Sequence, residues 1–259
     1  MEKGVPIRSI SRAIAVLQAI NRQGSMSLMG IAKAADVPYP TACRIVQTLL
    51  FEGLIEREPA RKRYRATPLV HSLSHGFQEH DRLVRVARPH IVELTRKHGW
   101  PISICVHVGS NMMVRDSTHT LTSLTLTNYY PGYTLPLLES AAGRAWLGFA
   151  PEAERESILA GLRPVEGEAD GLDMLSLFRS GVMVSDIQSK GYATKGRNRF
   201  TENPGKTSSI AVPLFDGDHL CGALSLIFFA SAMKMETAIA RYVDDIRAAA
   251  AAIHGSLAA

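Results

Sequence analysis

The sequence predicts an α+β protein in two parts: a small helical module carrying a two-stranded β element, and a larger module built on an antiparallel sheet. Three observations carry this. Helical spacing of apolar residues fills positions 9–52, whereas strand-like alternation sets in only after Trp100. The chain has 259 residues, enough for two cores, since domains centre on roughly 100–150 residues. The charge is unevenly placed: residues 1–80 hold 11 Lys and Arg against 6 Asp and Glu, while residues 81–259 hold 18 of each. The expected boundaries are 1–68 for the first module, 69–80 for a linker helix and 81–259 for the second module.

Residues 9–23 read as an amphipathic helix with Ile10, Ile14, Leu17 and Ile20 at helical spacing, stopped by Gly24-Ser25. Ser27 can cap a second helix over 28–35, which turns Leu28, Ile31 and Ala32 inward before Asp36-Val37-Pro38 breaks it. A third helix accepts Pro40 in its first turn, where a missing N–H costs little, and Gly53 ends it. Its spacing puts Ala42, Ile45, Val46 and Leu49 on one face and Thr41, Arg44, Gln47 and Thr48 on the other. Residues 54–57 and 64–67 read as two strands around a basic tip, Arg61-Lys62-Arg63. The linker helix follows Pro68, with His71, His75 and His80 on its surface.

In the second module, 81–98 reads as a helix bent at Pro89. Strands are expected over 102–108 and 112–116, joined at Gly109-Ser110, and over 121–127, where Thr and Leu alternate. After a turn region at 132–136 come helices over 140–149, 151–162 and 172–190, with an acidic loop before the last. Strands over 192–199, 208–215 and 220–229 follow, the last two joined at Asp216-Gly217-Asp218. A final helix over 235–257 aligns Ile239, Val243, Ile246, Ala250, Ile253 and Leu257 in one apolar seam, read here as a surface for pairing with a second copy.

Composition narrows the function classes. With 46% hydrophobic and 20% charged residues, general disorder is excluded. No apolar run approaches the roughly 18 residues of a membrane span, and the N-terminus carries no apolar signal region. Cys43, Cys105 and Cys221 lie far apart, which makes neither a disulfide framework nor a zinc knot. The expectation is a cytoplasmic protein with no membrane contact, no cofactor and no metal. Gly205-Lys206-Thr207 lacks the earlier glycine of a phosphate-binding loop, Phe200 standing there, and no GxSxG occurs. Cys105 and His107 share a strand face, where a buried thiol and a satisfied histidine outweigh a metal site.

Three helices and a basic two-stranded element, in that order, make a winged helix-turn-helix. Arg44 and Gln47 can hydrogen-bond base edges in a major groove, and Thr41 and Thr48 can meet a phosphate or a thymine methyl. Arg61, Lys62 and Arg63 at the wing tip suit phosphate or a minor groove. With Ser27 and Pro40 at the two helix starts, these residues form the expected face for double-stranded operator DNA. A small helical interaction module is the competing reading, against which both the order of elements and the charge weigh.

The stretch from Ser27 to Arg65 resembles the DNA-binding domain of the IclR family of bacterial transcription regulators, with Thr41, Arg44 and Leu49-Leu50 on the family pattern. Tyr39-Pro40 departs from the usual basic-Ser pair, so operator preference does not carry over. Residues 135–149 (LPLLESAAGRAWLGF), Gly191-Tyr192-Ala193 and 209–214 (SIAVPL) resemble the family's effector domain. The resemblance covers about residues 8–254. Within the family, 115–119, 140–143 and 230–233 are similar to the subgroup that activates catabolism of 3-(3-hydroxyphenyl)propionate.

The resemblance implies a GAF-like effector domain, a curved antiparallel sheet with helices on one face and a ligand cavity on the other. It implies an effector set of His119, Ser140, Ala141, Ala142, Gly143, Ser209 and Ser225, to which Arg115 and Arg197 are added as candidate charge partners. The helix starting near Ala141 offers free N–H groups to a carboxylate. Arg144 and Arg199 join as candidate charge partners, and Tyr129, Tyr130, Tyr133, Phe200 and Phe228 as aromatic surface. A family acid after Gly191-Tyr192-Ala193 is absent, Lys195-Gly196-Arg197 standing instead, which favours a ligand unlike the small acids of some relatives. The leading expectation is a ligand-responsive regulator that pairs with itself and answers to an aromatic carboxylate. A constitutive DNA-binding repressor whose large domain only oligomerises, and an enzyme with a DNA-binding appendage, are the alternatives.

Overall fold

The structure is a computed structural model that describes residues 6–59, 61–125, 129–162, 169–196 and 206–258. The chain divides into two compact units, Met1–Glu79 and His80–Ala259.

In the first unit, α1 (Arg8–Gln23) packs its C-terminal half, Val16, Ala19 and Ile20, against α2 (Leu28–Ala34) and α3 (Tyr39–Phe51). Ile10 and Ile14, expected inside, are 54% and 52% exposed. They lie in the N-terminal half of α1, where no side chain is buried. Ser27 caps α2 as expected, its hydroxyl accepting a hydrogen bond from the Gly30 N–H at 3.2 Å. A strand absent from the sequence reading, β1 (Met26–Ser27), pairs with β3 (Arg63–Ala66), which pairs with β2 (Ile55–Arg57). Two residues are too few for periodicity to register. The segment Pro68–His80, expected as an ordinary helix, is 3₁₀. The Ser72 and Ser74 hydroxyls donate to the carbonyls of Leu69 and His71, three residues back, at 2.7 and 3.0 Å, so side chains compete for the carbonyls an α-helix would use.

The second unit is a six-stranded antiparallel sheet, order β6-β5-β4-β9-β8-β7. Its strands are β4 (Ile102–Val108), β5 (Asn111–Ser117), β6 (Thr134–Pro136), β7 (Ala193–Lys195), β8 (Thr207–Asp216) and β9 (His219–Phe229). Helices α4 (Asp81–His98) and α9 (Met235–Ala258) cover one face. Helices α5 (Ala141–Phe149), α6 (Glu152–Gly161), α7 (Ala169–Arg179) and α8 (Val182–Lys190) belong to the core on the other. Strand alternation feeds both cores: Ile210, Val212 and Leu214 of β8 join α4 and α9, whereas Ala211 joins α5. Helices therefore lie on both faces, not one as the resemblance implied.

Three other expectations change. The seam on the last helix is used inside its own unit: Val243, Ile246, Ile253 and Leu257 are buried against α4 and the sheet, so the seam is not a free pairing surface. The strand expected over 121–127 is replaced by a 3₁₀ turn, His119–Leu121, and bends, with 126–128 outside the described residues. The threonines in and just before this stretch bind elsewhere. The buried Thr118 hydroxyl bonds Thr95 Oγ1 at 2.6 Å and accepts from the Ile102 N–H at 2.8 Å, while Thr122 Oγ1 donates to the Gly99 carbonyl at 2.5 Å. The helix expected over 172–190 is two helices, because Gly181 adopts φ 77°, a left-handed conformation that breaks the run. Among the described residues, no helix is long and apolar enough to cross a membrane.

Candidate DNA-binding face and effector cavity

In the first unit, the core anchors α3 through Ala42, Val46 and Leu49, and this fixes which side chains face out. Arg44, Gln47 and Thr48 are exposed and Thr41 is half-buried. Thr48 Oγ1 donates to the Arg44 backbone carbonyl at 3.1 Å, and the exposed Arg44 guanidinium carries no hydrogen bond among the described residues. Pro40, Thr41, Arg44 and Thr48 share a groove of about 550 Å³ with Ser9 and Arg12 of α1. Arg12 contributes to the basic excess of the first 80 residues but is not among the expected DNA-binding residues. At the hairpin, Arg61 and Lys62 are exposed in the turn. Arg63 is already engaged: its Nε donates to Ser25 Oγ at 3.0 Å and its guanidinium also reaches the Ser25 carbonyl. Ser27 is exposed but spent on capping α2.

In the second unit, a cavity of about 40 Å³ lies between the sheet and the start of α5. Its walls are Ser103 and Cys105 of β4, Tyr129, Tyr133, Leu135, the run from Glu139 to Ala142, Lys195, Thr207, Ser209, Ser225 and Ile227. The structure thus brings together Ser140, Ala141, Ala142, Ser209, Ser225, Tyr129 and Tyr133. Ser140 is the N-cap of α5: its hydroxyl accepts from the Gly143 N–H and donates to the Pro136 carbonyl, both at 3.0 Å. The next two N–H groups, of Ala141 and Ala142, belong to the orphan donors of a helix start. Gly143 supports this turn from behind, since a Cβ there would stand 2.1 Å from the Leu137 carbonyl oxygen.

Arg115, His119, Gly143, Arg144, Tyr130 and Phe228 do not wall the cavity. Phe228 points to the α4 and α9 face. Asp116, beside Arg115, pairs with Arg88 at 2.8 Å. Burial pushes the His119 imidazole below its ordinary pKa, with Asp116 opposing and Arg88 adding to that shift. Arg197, Arg199 and Phe200 lie outside the described residues.

Two charged residues in the wall escaped the sequence reading as a pair. Glu139 and Lys195 form an ion pair, with side chains 9% and 10% exposed. Arg144 braces the same corner: its Nε donates to the Leu138 carbonyl at 2.8 Å and its NH1 to the Thr194 carbonyl at 3.0 Å. Leu138 and Thr194 immediately precede Glu139 and Lys195. The available signal was a lone acid inside the apolar run Leu135–Ala142 and a lysine where the family carries an acid. Burial pushes the Cys105 thiol up to about 12, so it is a neutral wall group rather than a nucleophile or ligand. The His107 ring stacks on Trp146 with centroids 4.2 Å apart. Among the described residues, no cluster of three or more His, Cys, Asp or Glu is placed to hold a metal.

A helix with a free polar face in one unit and a polar-walled cavity in the other define an effector-binding transcription regulator. The family described as "Bacterial transcriptional regulator IclR C-terminal" matches residues 76–255, and "IclR helix-turn-helix domain" matches residues 9–59. The chain belongs to the IclR family, a class of DNA-binding regulators and not of enzymes. It is 23% identical over 164 residues to the regulator TsaQ1/TsaQ2 of Comamonas testosteroni, covering 62% of this chain and 59% of that one. It is 23% identical over 241 residues to the regulator SauR of Cupriavidus necator, covering 92% of each. Its fold is similar to a crystal structure of an IclR homolog complexed with 4-hydroxybenzoate from Microbacterium hydrocarbonoxydans. That likeness has a TM-score of 0.70 at 20% identity, over 96% of this chain and 98% of that one.

Proposed function

We propose that this regulator controls catabolism of an aromatic acid, which it senses in the cavity of the second unit. The carrying observation is Ser225. Its side chain is 3% exposed and lines the cavity, and its hydroxyl, unbonded among the described residues, opens on that cavity rather than being sealed in protein. A hydroxyl left open to a cavity is available to a guest, and a domain that only oligomerised would have no reason to keep one in a cavity wall. Tyr129 and Tyr133 give the wall aromatic surface, and the homolog bound to 4-hydroxybenzoate supports the ligand class. A ligand that favours one wall position over another has the differential affinity that regulation requires.

In this reading the second unit is GAF-like and residues 81–259 sense the effector. Residues 1–68 are a winged helix-turn-helix that reads operator DNA in the cytoplasm, and 69–80 link the two. Arg44 and Gln47 read bases, while Arg61 and Lys62 bind phosphate. One α3 reaches few base pairs, so the protein acts as a dimer or dimer of dimers on half-sites about one DNA turn apart. Within the family, the effector belongs with hydroxyphenylpropionate and its relatives. Footprinting on DNA flanking its own gene tests the proposal. Protection of a palindrome that changes with hydroxyphenylpropionate, cinnamate, benzoate or phenylacetate is expected. Protection indifferent to the whole panel would leave a constitutive DNA-binding protein.

A further inference from the structure

We propose that the Lys195 ammonium is the receptor for the effector's carboxylate and that Glu139 is the group the effector displaces from it. This rests on the reading of the cavity as the effector site, and it goes further by naming the ligand's charge and the residues that select it.

Lys195 ends β7 opposite Ser209 of β8, and Glu139 immediately precedes the N-cap of α5. Both side chains are about nine-tenths buried, both stand in the cavity wall, and they are bound to each other. A buried ammonium needs an anion beside it, because the low-dielectric interior does not replace lost hydration. Glu139 supplies that anion here, and a ligand carboxylate is its chemical equivalent. Exchanging one carboxylate for the other at Lys195 therefore costs little at the ammonium itself, and the ligand does not have to create a new buried charge site.

Arg144, braced on the carbonyls of Leu138 and Thr194, brings a second cation to the segments that carry Glu139 and Lys195. The start of α5 beside Ala141 and Ala142 favours a negative charge. The unpartnered Ser225 hydroxyl is a further hydrogen-bonding group for the bound molecule. Displacement also gives the exchange a mechanical reading, since the Glu139–Lys195 pair is a tie between the start of α5 and β7.

The test is calorimetry on the full chain with 4-hydroxybenzoate and 3-(3-hydroxyphenyl)propionate, their primary amides, and acetate as the minimal carboxylate. The acids are expected to bind at least about tenfold tighter than the amides. Glu139→Gln removes the competing charge and is expected to tighten the acids by about tenfold or more, with a smaller effect on the amides. A purely structural role for Glu139 predicts the opposite sign. The double variant Glu139→Gln/Lys195→Gln restores a neutral hydrogen-bonding pair, and there the preference for acid over amide should vanish. Acids and amides bound alike by the wild type would overturn the proposal, and that arm needs no variant to fold. Unchanged or weakened acid binding in a folded Glu139→Gln would do the same, as would no heat from any carboxylate, acetate included, in wild type and variant. If acetate binds and tightens in Glu139→Gln while the aromatic acids do not bind, the displacement stands and the aromatic reading falls.

Discussion

On α3 the polar side chains of Arg44, Gln47 and Thr48 stand in solvent above a core of Ala42, Val46 and Leu49. In the second unit, Ser103, Glu139, Lys195 and Ser225 are buried around a cavity. An exposed polar residue costs nothing to place, so its presence alone says little. A buried one must be hydrogen-bonded or paired, so one that lines a cavity without a protein partner points to a guest. The first unit is therefore read through which residues are free, and the second through which residues are confined.

The largest test of this contrast removes the scaffold of the confined site. Gly143→Ala places a Cβ where the Leu137 carbonyl oxygen stands 2.1 Å away, and a backbone carbonyl cannot swing aside like a flexible side chain. Overpacking against backbone should cost about 3 kcal/mol or more, beyond any gain in helix propensity. Denaturant unfolding followed at Trp100 and Trp146, both in the second unit, should show an early transition. A variant as stable as the wild type would show that the turn before α5 is not rigid.

On the free surface the effects should be smaller and separable. Arg44→Ala is expected to cost about 1–3 kcal/mol on the specific operator and to relax preference at one position. Equal loss on operator and random DNA would reassign Arg44 to phosphate. Lys62→Ala should weaken all DNA alike and reduce the salt slope by about one unit. Arg63→Ala should act differently again, since its guanidinium is tied to Ser25 and its loss loosens the hairpin base. Binding titrations over a range of salt separate the three.

The contrast also explains what was legible in the sequence. The helices of the first unit, the N-cap at Ser27 and the face of α3 follow from spacing and capping alone, because each depends on neighbours three or four residues away. Ile10 and Ile14 misled because spacing finds an apolar stripe without saying how far along it the partners extend. The cavity was legible only in part. Ser140, Ala141 and Ala142 came from a motif and Ser209 and Ser225 from resemblance, whereas Glu139 and Lys195 are 56 positions apart and meet only because β7 docks beside the start of α5. The apolar seam of α9 was seen correctly and assigned to the wrong partner, since periodicity cannot tell a sheet of the same chain from a second copy.

The smallest expected effect concerns His119, which the resemblance placed in the effector site and the structure places outside the cavity wall. Burial lowers its pKa below the ordinary 6.5. Protonation then favours the unfolded chain, so His119's contribution is fully present above pH 6.5 and is lost as pH falls through the lowered value. The imidazole is partly exposed, so the change is modest and is best read as a slope. Between pH 7 and pH 5 the second unit of the wild type should lose more thermal stability than that of His119→Asn. The same variant should leave affinity for the aromatic acids within about twofold, because the group touches no cavity wall. An unchanged acid slope would mean that the ring is not confined in the folded protein. A tenfold loss of acid binding would extend the cavity to the turn after β5 and restore His119 to the effector set.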